Sequence, residues 1–418
     1  MIPTVLAAAA VAMVRSLAAL RLQRWNLGAP AMMVLGGILI GLLVQDSVAA
    51  ALNTDVAQHV AEIILAFLLF VDATEIRGGR LWGNSPGVAG RMLLLALPLS
   101  LGSAMLLGAL LFPDLSWTML LIIACVVMPI DFAPSEGVVR DRRLSARVRS
   151  VLNVEGGYND GIVTPVFVFA LLLAGSGEDA PKTPLGALGT AVSQAAIAIG
   201  VGLAFGSLVA WLMHRTDRAG WTSAQTRRIT VALTPLVAYS LAVQLGGNGF
   251  VTSFVCGIAF RYVHRLLVAR AIHRAPAGQR GHALTALTRD FGLLEDVTAL
   301  MTMTMWFVVG LAAVVMFVLG ISWQAIVFCV AALTLLRLVP VLLSLFGAPL
   351  PRRDRLLIGL LGPRGTTTIV FGLIAFNGLP DGTPADTVLL TTVLCVIGSV
   401  LLHGAGSETV IRRLGTVK

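Results

Sequence analysis

Met128-Pro129-Ile130-Asp131-Phe132-Ala133-Pro134 sets an aspartate between two prolines, deep in the apolar run 115–139. A second interruption, Gly362-Pro363-Arg364-Gly365, breaks the apolar run 355–377. Proline frees backbone groups of the preceding turn. Inside a bilayer such groups are tolerated only where the backbone faces protein or a water cavity. The surroundings are those of a bilayer protein: the 418 residues are 57% hydrophobic and 12% charged, with mean hydropathy +0.89. A soluble domain carries about 25% charged residues.

Thirteen apolar runs can be counted: 2–20, 28–45, 58–76, 88–112, 115–139, 151–174, 186–213, 229–246, 249–265, 290–319, 322–346, 355–377 and 386–405. About 20 residues cross a hydrocarbon core. Connections after odd-numbered runs hold the arginines, among them Arg77 and Arg80, five from Arg140 to Arg149, and six from Arg261 to Arg289. Connections after even-numbered runs hold Lys182 as their one basic residue, with Asp46, Asp114, Glu178 and Asp381. Cytoplasmic loops carry the excess of Lys and Arg. The pattern predicts a multi-pass protein of the cell membrane, N-terminus outside and C-terminus cytoplasmic. The formal charge of +9 therefore belongs to short loops and does not point to nucleic acid.

No basic stretch precedes the apolar residues 2–13, so the first run is expected to be a retained helix rather than a cleaved signal. The basic connection 265–289 is expected to lie on anionic lipid. Cys125, Cys256, Cys329 and Cys395 fall in apolar runs without paired spacing and read as small buried hydrophobes. The chain is expected to be a single membrane domain with no soluble domain appended.

Several charges remain inside the runs: Asp72, Asp131, Glu155, Asp160, Arg337 and Arg364, with Glu295 and Asp296 early in the tenth. A charge at the bilayer centre costs at least about 3 kcal/mol on insertion scales, so such residues mark pairing or function. Asp131, Asp160 and Arg364 each lie nine to eleven residues from a cytoplasmic basic residue. At about 1.5 Å per residue they come near the midplane. Asp72 is shallower, on the inward route. Arg337 reads as structural, bonding carbonyls or a lipid headgroup; Glu295 is a candidate of either kind.

The two broken runs are the fifth and the twelfth, seven apart. That spacing fits two six-helix repeats of opposite topology, 1–175 and 229–405, joined by a linker helix over 186–213. Broken spans at matching positions of inverted repeats point to a transporter's midplane binding site.

Glu155-Gly156-Gly157-Tyr158-Asn159-Asp160-Gly161 resembles the monovalent cation:proton antiporters of the sodium/proton exchanger (NhaP-like) type. The resemblance extends over nearly the whole chain, through Leu69-Phe70-Val71-Asp72-Ala73, the Asp131 segment, Gly246-Gly247-Asn248-Gly249-Phe250, Arg337-Leu-Val-Pro340 and Gly362-Pro-Arg-Gly365. It implies an all-α fold in which the broken fifth and twelfth helices cross in a core that moves against a dimer scaffold. It also implies roles. Asp160 binds cation or proton, Asn159 braces the crossing, Asp131 adds charge beside the site, and Glu155 pairs with Arg364.

An Asn-Asp pair is associated in that family with electroneutral exchange. The expected cargo is sodium, or else lithium or potassium, against a proton; no cofactor is expected, and the only metal contacts, through Asp160 and Asp131, are with the cargo. Low dielectric favours the protonated form of a carboxyl. Proton and cation then compete for one group, and the bare charged site is the costly state to move.

The sequence departs from the family's pattern where Ile130-Asp131-Phe132 replaces the usual Thr-Asp-Pro, where Gly156 replaces a frequent serine, and where Asp72 stands one place beyond the usual glutamate. A hard cation needs several oxygens; backbone carbonyls, Thr164 or water are the expected substitutes. The alternative reading is a homologue that acts on another solute or serves as a membrane scaffold or sensor. Tyr158-Asn159-Asp160 has a passing likeness to an intramembrane aspartyl protease, but no Gly-x-Gly-Asp follows. No enzyme activity is expected.

Overall fold

A computed structural model describes residues 2–24, 28–43, 52, 54–75, 83, 85–132, 137–175, 183–274 and 290–414. Pro134, Glu136, Lys182, Arg77, Arg80 and the basic stretch 275–289 lie outside them. The described residues are helical, and a helix lies in every one of the thirteen apolar runs. In chain order these are α1 (Ile2–Leu17), α2 (Ala29–Leu43), α3 (Asp55–Glu75), α4 (Pro86–Leu111), α5 (Trp117–Val127), α6 (Ala146–Ala174), α7 (Pro184–Arg218), α8 (Ala224–Gln244), α9 (Gly249–Arg274), α10 (Gly292–Leu319) and α11 (Trp323–Ser344). The twelfth run is split into α12 (Arg352–Leu360) and α13 (Thr366–Gly378). Then come α14 (Thr383–Ser399) and the polar α15 (Gly406–Leu414). Among the described residues, eight helices are long and apolar enough to cross a membrane; four more apolar helices are shorter. The four cysteines are free and buried, as expected.

Helix ends follow local chemistry. Ser116, Ser145, Thr183 and Ser223 each cap a helix, their side-chain oxygens accepting a backbone N–H of the first turn. α5 stops at Val127 because Pro129 cannot continue the ladder. α12 stops at Leu360, ahead of Pro363, and the chain resumes as helix at Thr366. α11 is kinked at Thr334, where φ −126° and ψ −87° leave the helical region. These three interruptions supply the free backbone groups from which the site is built.

The chain forms two compact units. The first comprises residues 1–61, 76–182 and 302–418. Its core gathers Met92, Val148, Leu152, Val341 and Ile358, all essentially inaccessible. α2 and α10 touch backbone to backbone there: a Cβ on Gly37 would lie 2.1 Å from the Phe307 carbonyl oxygen. Small residues allow such approach between helices in lipid.

The second unit comprises residues 62–75 and 183–301. Phe70, Ala210, Val231, Cys256 and Phe260 form its core. α7 and α9 are in close contact, since a Cβ on Gly206 would stand 2.4 Å from the Cys256 carbonyl oxygen.

Candidate ion-binding centre

The two breaks of the first unit meet. The Asp131 backbone N–H donates to the Pro363 carbonyl (3.0 Å). The Asp131 carboxylate Oδ2 accepts from the backbone N–H of Thr367 (3.2 Å) and from its hydroxyl (3.4 Å). Thr367 is in the first turn of α13, where free N–H groups and the helix dipole favour an anion. Gly365 makes this seat available: a Cβ there would lie 2.5 Å from Asp131 Oδ2.

α6 runs past this junction. Asn159 Nδ2 donates to the Ile130 carbonyl (2.8 Å), a group left free by the break after α5. Its Oδ1 accepts from the Asp160 N–H (2.6 Å). Asp160 is 1% exposed, and neither carboxylate oxygen accepts a hydrogen bond within the described protein. Asp131, Thr367 and Arg364 are all near enough to act on its charge. The Thr164 hydroxyl, also buried, donates to the Asp160 main-chain carbonyl (2.6 Å).

The ion pair of Glu155 differs from the expectation. Its partner is Arg337, which donates from Nη1 to Oε1 (2.6 Å) and from Nη2 to Oε2 (3.1 Å). Both side chains are about 6% exposed. Arg337 Nη2 also donates to the Ile358 carbonyl (3.0 Å). Gly362 is needed here, because a Cβ on it would lie 2.0 Å from Arg337 Nε.

Arg364 is wholly buried and satisfies its guanidinium on backbone. It donates to the carbonyls of Val127, Gly362 (2.8 Å) and Ala332 (3.2 Å). Val127 ends α5, Ala332 precedes the kink of α11, and Gly362 lies in the break before α13. A cation at helix C-terminal carbonyls is stabilised by the dipole and fills their empty acceptor sites. The physical reason for the changed pairing is thus the supply of acceptors: three interrupted helices offer Arg364 carbonyls, and Glu155 is left to Arg337. The Arg364 N–H itself donates to the Ser399 hydroxyl of α14 (2.7 Å).

The family description "Sodium/hydrogen exchanger, transmembrane" matches residues 8–413. The chain belongs to that family. Sodium/hydrogen exchangers are transporters, and this member is a multi-pass membrane protein. It is 25% identical to the K(+)/H(+) antiporter NhaP2 of Shewanella sp. (strain MR-4) over 302 residues, 72% of this chain and 48% of that protein. A similar match, 25% over 306 residues, is found with NhaP2 of Shewanella oneidensis. The chain spans about half the length of these curated relatives. Its fold is that of the sodium proton antiporter MjNhaP1 from Methanocaldococcus jannaschii, solved at pH 8, with a TM-score of 0.77 at 18% identity, covering 98% of this chain and 97% of that one.

The remaining candidate residues are distributed between the two units. Thr164 stands one turn after Asp160 on α6. Asp72 lies near the end of α3, in the second unit, and is half-buried. Glu295 is exposed in the first turn of α10, also in the second unit.

Two residues that the sequence reading passed over belong to the centre: Thr367, which holds Asp131, and Ser399, which holds the Arg364 backbone. The run Thr366-Thr367-Thr368 directly after a glycine break was a usable signal, although Thr367 is the one of the three whose hydroxyl has a partner among the described residues. Ser399 offered none. The unusual Gly156 also has a local account. A Cβ there would meet the Phe132 ring at 3.2 Å, so Phe132 occupies the space beside it and the two departures go together.

Proposed function

We propose that this protein is a secondary antiporter exchanging a monovalent cation for a proton by alternating access, with Asp160 as the group for which the two compete. The observation that carries the reading is the state of Asp160. It is 1% exposed, with both oxygens free of hydrogen bonds from the described protein, beside Asp131 and the junction of two interrupted helices. A buried carboxylate without donors is expensive unless it binds a proton or a cation. Either ligand makes the site movable; the bare anion does not. That single requirement couples the two flows.

Sodium is the first candidate, with lithium and potassium behind it; the naming of the Shewanella relatives as K(+)/H(+) antiporters makes potassium a necessary arm of any test. The oxygens available to the cation are those of Asp160 and Asp131, with the Thr367 hydroxyl next to them. One-for-one exchange follows if Asp131 stays ionised on the α13 N-terminus and only Asp160 changes occupancy. The reading includes thirteen spans in inverted repeats, the C-terminus in the cytoplasm of a cell-membrane protein, and a homodimer.

The test is purified protein in liposomes with an internal pH dye and an imposed pH gradient. Sodium, lithium and potassium are added in turn, beside Asp160→Asn. Dissipation by one cation, absent in the variant, supports exchange and names the ion. Silence with all three cations from folded protein overturns it.

A further inference from the structure

In the second unit a groove of about 940 Å³ opens where α7 ends and α9 continues beside it. Arg215 and Arg218 line it from the last turn of α7, and Arg270 from α9. Trp211 and Trp221 flank it, 46% and 81% exposed. Among the described residues, no acidic residue lines it. Asp217 is adjacent in sequence, but its carboxylate is taken by Arg227, which also bonds Asp290 (3.1 Å) at a separate small cavity. Arg215, Arg218 and Arg270 have no ion-pair partner among the described residues.

We propose that this groove binds the phosphate headgroup of an anionic phospholipid. Three features select a lipid over a soluble anion. The groove sits at the end of a 35-residue apolar helix, at the level where tryptophan and arginine anchor a protein to the membrane interface. Leu208, Trp211 and Leu212 share one face of α7 and are 49%, 46% and 42% exposed, so an apolar track leads from the basic groove along the helix. Such a track suits an acyl chain and has no use for inorganic phosphate. The Arg215 guanidinium stands 5.6 Å from the centre of the Trp211 ring, which holds a charged head against an apolar plate. On the expected topology this end of α7 is cytoplasmic, where a bilayer carries its anionic surface. The inference needs that placement and is independent of which ion is exchanged.

The experiment is native mass spectrometry of the full-length protein in detergent, titrated with phosphatidylglycerol or with phosphatidylcholine of the same acyl chains. Phosphatidylglycerol is expected to bind and phosphatidylcholine not. Each arginine near an anionic lipid surface contributes about fivefold in affinity. Arg215→Gln with Arg218→Gln is therefore expected to weaken phosphatidylglycerol by about 25-fold, while the double change to lysine retains most binding. Arg142→Gln, an exposed arginine outside the groove, leaves it unaltered. Should the double glutamine variant not fold, Arg270→Gln reads the same groove and is expected to lose about fivefold. Equal affinity for the two lipids, or unchanged affinity in the variants, overturns the proposal. So does full displacement by millimolar inorganic phosphate, which would make this a soluble-anion site. A changed oligomeric state with unchanged lipid binding also overturns it, and assigns the face to a second copy of the chain.

Discussion

Removing Glu155 should damage stability far more than ion recognition, and the size of the effect follows from its partner. Arg337 meets Glu155 through two hydrogen bonds, 2.6 and 3.1 Å, with both side chains about 6% exposed. Glu155→Gln leaves a guanidinium buried and uncompensated. Breaking a buried pair from one side costs about 3–5 kcal/mol. Arg337 keeps the Ile358 carbonyl at 3.0 Å, which puts the expected loss near the lower bound, about 3 kcal/mol. Arg337→Gln should cost a similar amount. The double variant should cost less than the sum, with a coupling of about 2 kcal/mol, because neither charge is then stranded.

Unfolding free energies in bicelles, measured by steric trapping, give the four corners of the cycle. A second cycle, Glu155→Gln with Arg364→Gln, is the control. Arg364 bonds the carbonyls of Val127, Gly362 and Ala332, so its coupling to Glu155 should be the smaller. A larger coupling to Arg364 than to Arg337 would refute the pairing and the account of Arg364 as a cap for broken helices.

Other outcomes follow from the same geometry. Thr367→Val removes a hydroxyl donated to a carboxylate, a bond of about 1.5 kcal/mol; the cation KM of exchange should rise about tenfold, and Thr367→Ser should restore it. Gly365→Ala puts a carbon 2.5 Å from Asp131 Oδ2, so liposome exchange should fall severalfold more than thermal stability does. Gly156→Ser meets the Phe132 ring at 3.2 Å and should cost about 1–3 kcal/mol as overpacking; adding Phe132→Ala should recover most of it in the same unfolding assay. In the connection before α6, outside the apolar runs, Arg143 hydrogen-bonds both Asp141 and Glu408 and holds their carboxyls below the usual values of 3.8 and 4.5. Depressed acids stabilise above their ordinary titration and lose that contribution as pH falls through it. The protection factors of α15 amides, corrected for the intrinsic pH dependence of exchange, should therefore fall below about pH 4 and be unchanged between pH 6 and 8.

The span pattern was legible because the bilayer forbids most alternatives. A run of twenty apolar residues has few other uses, and an aspartate between prolines is too costly to be accidental. Asp131, Asp160 and Arg364 could be singled out for that reason alone; Asn159 rested on the family resemblance. Which arginine serves which carboxylate could not. Glu155 lies 182 residues from Arg337 and 209 from Arg364, and nothing local to either arginine distinguishes them. The choice is made by the kink at Thr334 and the break after Leu360, whose carbonyls compete for one guanidinium. Breaks are visible in sequence as prolines; the direction in which they aim their free carbonyls is not. The threonine run after the glycine break was visible, but that Thr367 serves Asp131 depends on where α13 begins relative to the break after α5.

The pairing also bears on which carboxylate the proposed exchange would use. Two carboxylates are buried among the described residues of the first unit, Glu155 and Asp160, with Asp131 half-buried between the breaks. Glu155 is neutralised by Arg337. Asp131 is held by an N–H and a hydroxyl at the start of a helix. Arg364, the remaining buried cation, spends its donors on three carbonyls. Of these three carboxylates, Asp160 has no hydrogen-bond donor within bonding geometry among the described residues, the Thr367 hydroxyl beside it being directed at Asp131. On the proposed mechanism that cost is lifted when Asp160 takes up a proton or a metal cation.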